Sequence, residues 1–434
     1  MNYNNESTGY TVNTQQVVDK PKRKNPLTIP FMIISYLLVI ETIFIIIVGI
    51  QVLVKVKTNK RLEVNKSETT SEQLDETFET LKEIDEYYSG AYIEDVDYED
   101  LTLKMANALV ASYGDKYGIY LDPELSDEQD AELNNTLSGI GVLIRAEEAE
   151  TDDEVDRLYV IESYKGSDAL EKGIVRGCMI TKVNGEEFNF EEVSYNDVID
   201  KIRGKAGTHV EITFINNDGE EITEDIERRK VETTTVTYKV INNEIGYINI
   251  RDFTSNTDEE FRNVLKYMEN REIDKLIFDL RDNSGGLLET VVNMLDDLLP
   301  AQNLIYIENK DKEIVEVYKS DKKHYDFEGV CIINENSASA SELFVKSLQE
   351  QGHIVIGETS YGKGTVCSVI PLETGGSLQI STYRYLTSSR ECVEGIGVIP
   401  DIEIKLPEEK EKIQYKLEIT EDDLIIQSIK YLME

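Results

Sequence analysis

Apolar and polar positions divide the chain into blocks of different period. The first block is an unbroken apolar run, Leu27–Val54, longer than the roughly 20 residues a bilayer core requires. Its only charge is Glu41. No small-residue cleavage site follows, so the run predicts a retained transmembrane anchor and not a signal peptide. An intramembrane carboxylate can mark function; in a single span it can equally sit protonated and idle, or bond to a second copy of the helix. Residues 1–26 are rich in Asn and Thr and form a polar tail. From 67 to 125 the chain is acidic, with Leu74, Phe78, Leu81 and Ile84 at helical spacing. That block ends in a turn-rich aromatic connector, "YGDKYGIYLDPEL", Tyr113–Leu125.

From 136 to 231 the pattern is that of a small, mostly β module. "LSGIGVLI" and "RLYVIESY" read as strands, and "SDALEKG" as a short helix capped by Ser167 and Gly173. "MITKVNGEEF" is a hairpin turning at Asn184-Gly185, "SYNDVIDKIRG" an amphipathic helix, and "THVEITFIN" a closing strand. Beyond 232, β-branched runs alternate with helical runs. "EIGYINI" leads to a helix opened by Thr257 and Glu260 as a capping box. "DKLIFDLR" leads through "NSGG" to "LLETVVNMLDDLL", and "VCIINEN" through "SASAS" to a helix ending at Gly352. This alternation predicts an α/β core over 232–406. Residues 407–434 form a helical tail. No repeat of 20–50 residues is present.

Composition narrows the function. Chain length, 434 residues, allows two or three domains. Asp and Glu number 85 against 45 Lys and Arg, a net charge of -40, which excludes nucleic acid as a partner. Lys20, Lys22, Arg23 and Lys24 precede the apolar run and Lys55, Lys57, Lys60 and Arg61 follow it, so flanking charge does not orient the span. Cys178, Cys331, Cys367 and Cys392 lack CxxC spacing, so no zinc site or redox pair is expected, although a Cys367–Cys392 disulfide is possible. There is no HExxH and no GxSxG. No metal or cofactor is expected.

The candidate chemistry lies in two stretches. In "GETSYGKGT", Gly357–Thr365, a strand precedes the glycines, but "TVCSVIPL" after them reads as a second strand. A phosphate-binding loop needs a helix there. Lys363 is therefore either a solvated turn residue or a chemical group. In "NENSASASELF" three serines meet a helix N-terminus, more than a cap requires. A serine nucleophile needs a base and an oxyanion hole. The histidines His209, His324 and His353 have no suggestive context, and lysine is an alternative base for serine. Lys363 follows Ser339 by 24 residues, across a helix and a return strand that can bring both ends together. Burial and the positive end of a helix would lower its pKa. Backbone N–H groups at Ala340, Gly285 and Gly286 are candidate oxyanion donors.

These stretches, with "GYINIRDF", "FDLRDNSGGLL", "YGKGTV" and "GIGVIPDIEI", resemble the C-terminal processing peptidases, subfamily A of peptidase family S41, in order and spacing over residues 74–405. "GIGV" with "GSDALEKGIVRGCMITKVNGEEF" resembles their PDZ domain, and "DKYGIYLDPE" their connector. The resemblance implies a crotonase/ClpP-like protease core with an inserted PDZ-like β-sandwich or barrel. It implies Ser339 as nucleophile, Lys363 as general base, and Gly285 and Ala340 as oxyanion donors. It also implies an extracytoplasmic protease with a cytoplasmic N-terminus, acting on proteins with exposed C-termini. Gly139, Ile140, Gly141 and Val142 would meet a peptide carboxylate at a strand edge, with Arg203 as a further peptide or interdomain contact. Several positions depart from the pattern. Cys367 replaces a glutamine that orients the lysine, Asn336 replaces a glycine, Asp168 replaces a proline, and the Ser-to-Lys interval is one residue short. An alternative reading is an inactive PDZ scaffold that senses peptides. The helices before 112 and the tail "ITEDDLIIQSIKYLM" are candidate surfaces for a homodimer.

Overall fold

The computed structural model describes residues 71–434, apart from 148–155 and 191. The apolar run 27–54 lies outside these residues. Among the described residues no helix is long and apolar enough to cross a membrane.

Six strands form the central sheet in the order Val236–Ile241, Ile245–Ile250, Lys275–Asp279, Glu328–Ile333, Ile354–Gly357 and Ile402–Glu403. The first pair is antiparallel and all later pairs are parallel. Parallel neighbours need crossover segments; helices Thr257–Glu269, Leu288–Leu298 and Ala340–Gln349 lie in the first three, and strands Thr365–Pro371 and Ser377–Leu386 lie in the last. On one face Phe261, Phe278 and Phe344 pack edge to face or tilted within a single large core. On the other face Ile277, Val330, Ile332 and Ile356 are covered by Leu424, Ile425 and Leu432. Those three belong to helix Asp423–Met433, so the apolar face of the tail is consumed within the chain. This corrects the expectation that the tail offers that face to a second copy. Asp422, its N-cap, also accepts a 2.8 Å hydrogen bond from the buried Arg281, which pairs with Asp279 as well.

Because Lys275–Asp279 and Glu328–Ile333 are adjacent and parallel, the small-residue turns after them lie side by side. Asn334 and Asn336 donate to Asp282 at 2.9 and 2.8 Å, and Ala338 N–H donates to Asn283 O at 3.0 Å. The carboxyl ends of neighbouring parallel strands are where open α/β sheets place their sites. An antiparallel second sheet abuts this end. It contains Ile119–Leu121, Ser377–Leu386, Asn303–Glu308 and Ile314–Lys319, with Thr365–Pro371 also on Ser377–Leu386. Strand Ile119–Leu121 belongs to the connector, so 113–118 is drawn to the same place.

Residues 136–231 include a core of their own, from Ile140 to Ile226. Their antiparallel sheet runs Val142–Glu147, Arg157–Ser163, Met179–Val183, His209–Ile215, Glu221–Glu227. Asn184 and Gly185 both take positive φ, as a tight hairpin turn of this type requires. Asp168, where the resemblance called for proline, accepts the Glu227 N–H at 2.8 Å and pairs with Arg229. The capping box expected at Thr257 and Glu260 does not form. The N-cap is Asn256, which makes no side-chain cap, and Glu260 instead accepts the N–H groups of Thr235 and Val236, both at 2.9 Å.

Candidate active site

The three serines of "SASAS" have separate fates. Ser337 Oγ donates to Leu280 O, and Ser341 Oγ donates to Asn283 O, each at 2.8 Å. Both brace the turn against its neighbour. Ser339 Oγ is fully buried and makes no hydrogen bond among the described residues. Its backbone stands at φ 55°, ψ -114°, a region that costs a non-glycine residue on the order of 1–3 kcal/mol. That strain persists because the surroundings hold both sides of the residue. Ser339 N–H donates to Glu342 Oε2 at 2.8 Å, and Ser339 O accepts from Leu343 N at 3.0 Å.

Glu342 joins this turn to the lysine loop. Its Oε2 also accepts Lys363 N–H at 2.7 Å, while Oε1 accepts Gly362 N–H at 2.7 Å and the Ser360 hydroxyl at 2.5 Å. Burial pushes this carboxyl up, and its hydrogen-bond donors oppose that rise. A second tie comes from Tyr385, whose buried hydroxyl lies 3.1 Å from Ser339 O and 2.9 Å from Lys363 O. Ser339 and Lys363, distant in sequence, are thus fastened to the same two side chains.

Lys363 is fully buried, and its Nζ stands 4.5 Å from the centre of the Tyr117 ring. Burial pushes its amine down to about 8, against the opposing influence of Cys367, Glu394, Glu342 and Asp115. The displacement corresponds to roughly 3 kcal/mol. Gly362 and Gly364 make the burial possible. A Cβ on Gly364 would lie 2.7 Å from Cys392 Sγ and from Glu394 N, and one on Gly362 would lie 3.0 Å from Gly397 N. The glycines admit a second chain segment and leave no cradle for phosphate. Cys367 lies in strand Thr365–Pro371 with its Sγ 3.9 Å from Ser381 Oγ. Burial pushes its thiol up, so it stays uncharged at neutral pH. All four cysteines are free, so the possible Cys367–Cys392 disulfide is not formed.

Gly285 stands against the serine: a Cβ there would lie 2.8 Å from Ser339 Cβ and 3.0 Å from Ala340 N. Its N–H, however, donates to Asn283 Oδ1 at 2.9 Å. Neither Gly286 N–H nor Ala340 N–H has an acceptor among the described residues, and Gly286 is pressed on the Phe253 backbone. The module's candidates lie elsewhere. Gly139 pairs with Arg229 in a two-stranded ladder, Ile140 enters the module core, and Gly141 turns at φ 76° into Val142. Among the described residues Val142–Glu147 pairs only with Arg157–Ser163 and is an edge strand of its sheet. Arg203 caps helix Tyr195–Ile202 and pairs with Glu132 at 3.3 Å, an interdomain contact.

Glu342, Tyr385, Tyr117 and Glu394 were not singled out in the sequence. Only Glu342 carried a signal: it stands three residues after Ser339, the capping-box spacing. The other three reach the site from distant strands and loops.

Two consequences can be measured. With its amine near pKa 8, about a tenth of Lys363 is neutral at pH 7, the form a general base requires. Activity should therefore climb through pH 8 and level off above it, seen in a pH–rate profile. Ser339→Gly relieves the positive φ that Ser339→Ala retains. Urea unfolding should find the glycine variant more stable than the alanine variant by about 1 kcal/mol.

Comparison with known proteins agrees with this geometry. The model of peptidase family S41 matches residues 244–404. Carboxy-terminal processing protease CtpB of Bacillus subtilis is 30% identical over 365 residues, covering 80% of this chain and 73% of that protein. The carboxy-terminal-processing protease of Bartonella bacilliformis is 28% identical over 344 residues, covering 77% of this chain and 76% of that protein. Among solved structures, an S41 protease from Bacteroides fragilis shares the fold with a TM-score of 0.57 at 15% identity, covering 79% of this chain and 92% of that one. The chain belongs to peptidase family S41, among the carboxy-terminal processing serine proteases.

Proposed function

We propose that the protein is a membrane-anchored endopeptidase in which Ser339 is the nucleophile and Lys363 its general base. One observation carries the reading. Of three serines in the turn, Ser339 alone has an uncommitted hydroxyl, on a strained backbone, and it shares Glu342 and Tyr385 with a buried, pKa-lowered lysine. The neutral Lys363 amine takes the Ser339 hydroxyl proton as Oγ bonds to the scissile carbonyl carbon. The tetrahedral oxygen is received by the two N–H groups without an acceptor among the described residues, those of Ala340 and Gly286. The Lys363 ammonium then protonates the departing amine, and the C–N bond breaks. Water, deprotonated by the same amine, releases the acyl group and restores Ser339. No metal or cofactor enters these steps.

The module 136–231 is PDZ-like in this reading. Its edge strand Val142–Glu147 accepts the C-terminal strand of a polypeptide, and the turn at Gly139–Val142 receives the carboxylate. The apolar run 27–54 anchors the chain, with the protease outside the cytoplasm. The edge strand and the apolar run support these two assignments.

The test is cleavage of a loosely folded protein by the soluble region, residues 60–434, beside Ser339→Ala and Lys363→Ala. Fragments from the parent alone are expected, with a loss of at least about a thousandfold in each variant. Equal cleavage by Lys363→Ala would refute the dyad. Amidating the substrate C-terminus should raise KM. In cell fractionation the full chain should remain with membranes at high salt, and its release would refute the anchor.

A further inference from the structure

Position 367 poses a physical problem for the lysine. A thiol is a weak hydrogen-bonding group, and Cys367 Sγ lies 3.9 Å from Ser381 Oγ, at the limit of such contact. Yet Lys363 is fully buried and belongs to a loop whose backbone is held closely. Besides Glu342 and Glu394, the groups that approach its amine from outside its own loop and strand come from the connector: Tyr117 and Asp115.

Asp115 accepts Ser381 N–H at 2.8 Å, the Ser381 hydroxyl at 2.7 Å and Tyr117 N–H at 3.1 Å. Ser381 is the cross-strand partner of Cys367. Asp115 therefore fixes the strand opposite Cys367 and the turn that carries Tyr117. Tyr117 is 7% exposed, with its ring 4.5 Å from Lys363 Nζ. Its carbonyl accepts from the buried Gln379 amide at 2.8 Å, and its hydroxyl donates to Glu394 Oε1 at 3.3 Å. Glu394 Oε2 in turn accepts Gly364 N–H, next to the lysine, at 2.7 Å. The ring is thus held at both ends, over the amine. The charged and titratable groups about the amine are Asp115, Tyr117, Glu342, Cys367 and Glu394; Lys116 lies on the Tyr117 ring at 5.1 Å.

We propose that Tyr117 and Asp115 are positioning residues for Lys363: the Tyr117 ring walls the amine in, and Asp115, through Ser381, holds that wall against the strand of Cys367. This rests on Lys363 being the base. The ring contributes position and dryness. Asp115 contributes position and a negative charge, which burial weakens and its donors preserve. The two residues therefore act in opposite directions on the amine, since water exclusion disfavours the proton and a nearby carboxylate favours it.

The experiment compares pH–rate profiles of the soluble region carrying Tyr117→Phe, Tyr117→Leu and Asp115→Asn. Tyr117→Phe keeps the wall and should hold the plateau kcat within about threefold of the parent. Tyr117→Leu should lower kcat at least about tenfold with KM unchanged, because small misplacements of a base are costly, and should move the acid limb to higher pH. Asp115→Asn should lower kcat and move the limb to lower pH. Equal kcat in Tyr117→Leu and the parent would overturn the proposal, as would limbs that stay in place in both Tyr117→Leu and Asp115→Asn. Equal losses in Tyr117→Phe and Tyr117→Leu would do so too. Lys363→Ala, run alongside, separates the two ideas. If it stays active the base assignment fails; if it is inactive while Tyr117→Leu is unchanged, only the positioning role fails.

Discussion

A single buried carboxylate organises this site. Glu342 is fully buried and receives four hydrogen bonds, from Ser339, Ser360, Gly362 and Lys363. A carboxylate buried without such donors would be prohibitively unfavourable. With them, it becomes a node whose geometry is set by several chain segments at once. The strained backbone of Ser339 and the glycine-flanked backbone of Lys363 both depend on it. Tyr385 adds a second, uncharged tie between the same two residues.

The rest of the fold delivers the segments that meet at this node. Parallel pairing of Lys275–Asp279 with Glu328–Ile333 puts the glycine turn beside the serine turn. The crossover through Ala340–Gln349 returns the chain along Ile354–Gly357 into the lysine loop. The second sheet then supplies Tyr385 on one strand, Cys367 on its neighbour, and the connector at its edge. Burial of the amine follows from this closure. The packing that excludes water from Lys363 also lowers its pKa, so burying this amine costs stability and leaves part of it neutral near pH 7.

Much of this was legible in the sequence because periodicity and turn chemistry are local. The strand–helix alternation of the core, the Asn184-Gly185 hairpin and the two small-residue turns all followed from patterns a few residues long. So did the reading of "GETSYGKGT" as a turn between two strands. What the sequence concealed is non-local. Strands 303–308 and 314–319 join a sheet whose other members lie nearly two hundred residues before and some sixty after them in the chain. Tyr117, Tyr385 and Glu394 meet Lys363 only because that sheet closes. The failed capping box has the same cause: Glu260 has the right spacing to cap its helix, but the start of Val236–Ile241 offers two backbone donors instead. In "SASAS" no local rule distinguishes the serines; the carbonyls that occupy Ser337 and Ser341 belong to residues 280 and 283.

The most direct test of Glu342 as the organising group is the kcat of Glu342→Gln in protein whose circular dichroism matches the parent. A glutamine has nearly the same shape, but its amide nitrogen cannot accept hydrogen bonds, so part of the donor set is left unpaired at about 1–3 kcal/mol each. The expected result is a fall in kcat of about a hundredfold with KM nearly constant, as the serine and lysine lose their common anchor. A folded Glu342→Gln protein with the parent kcat would contradict the account.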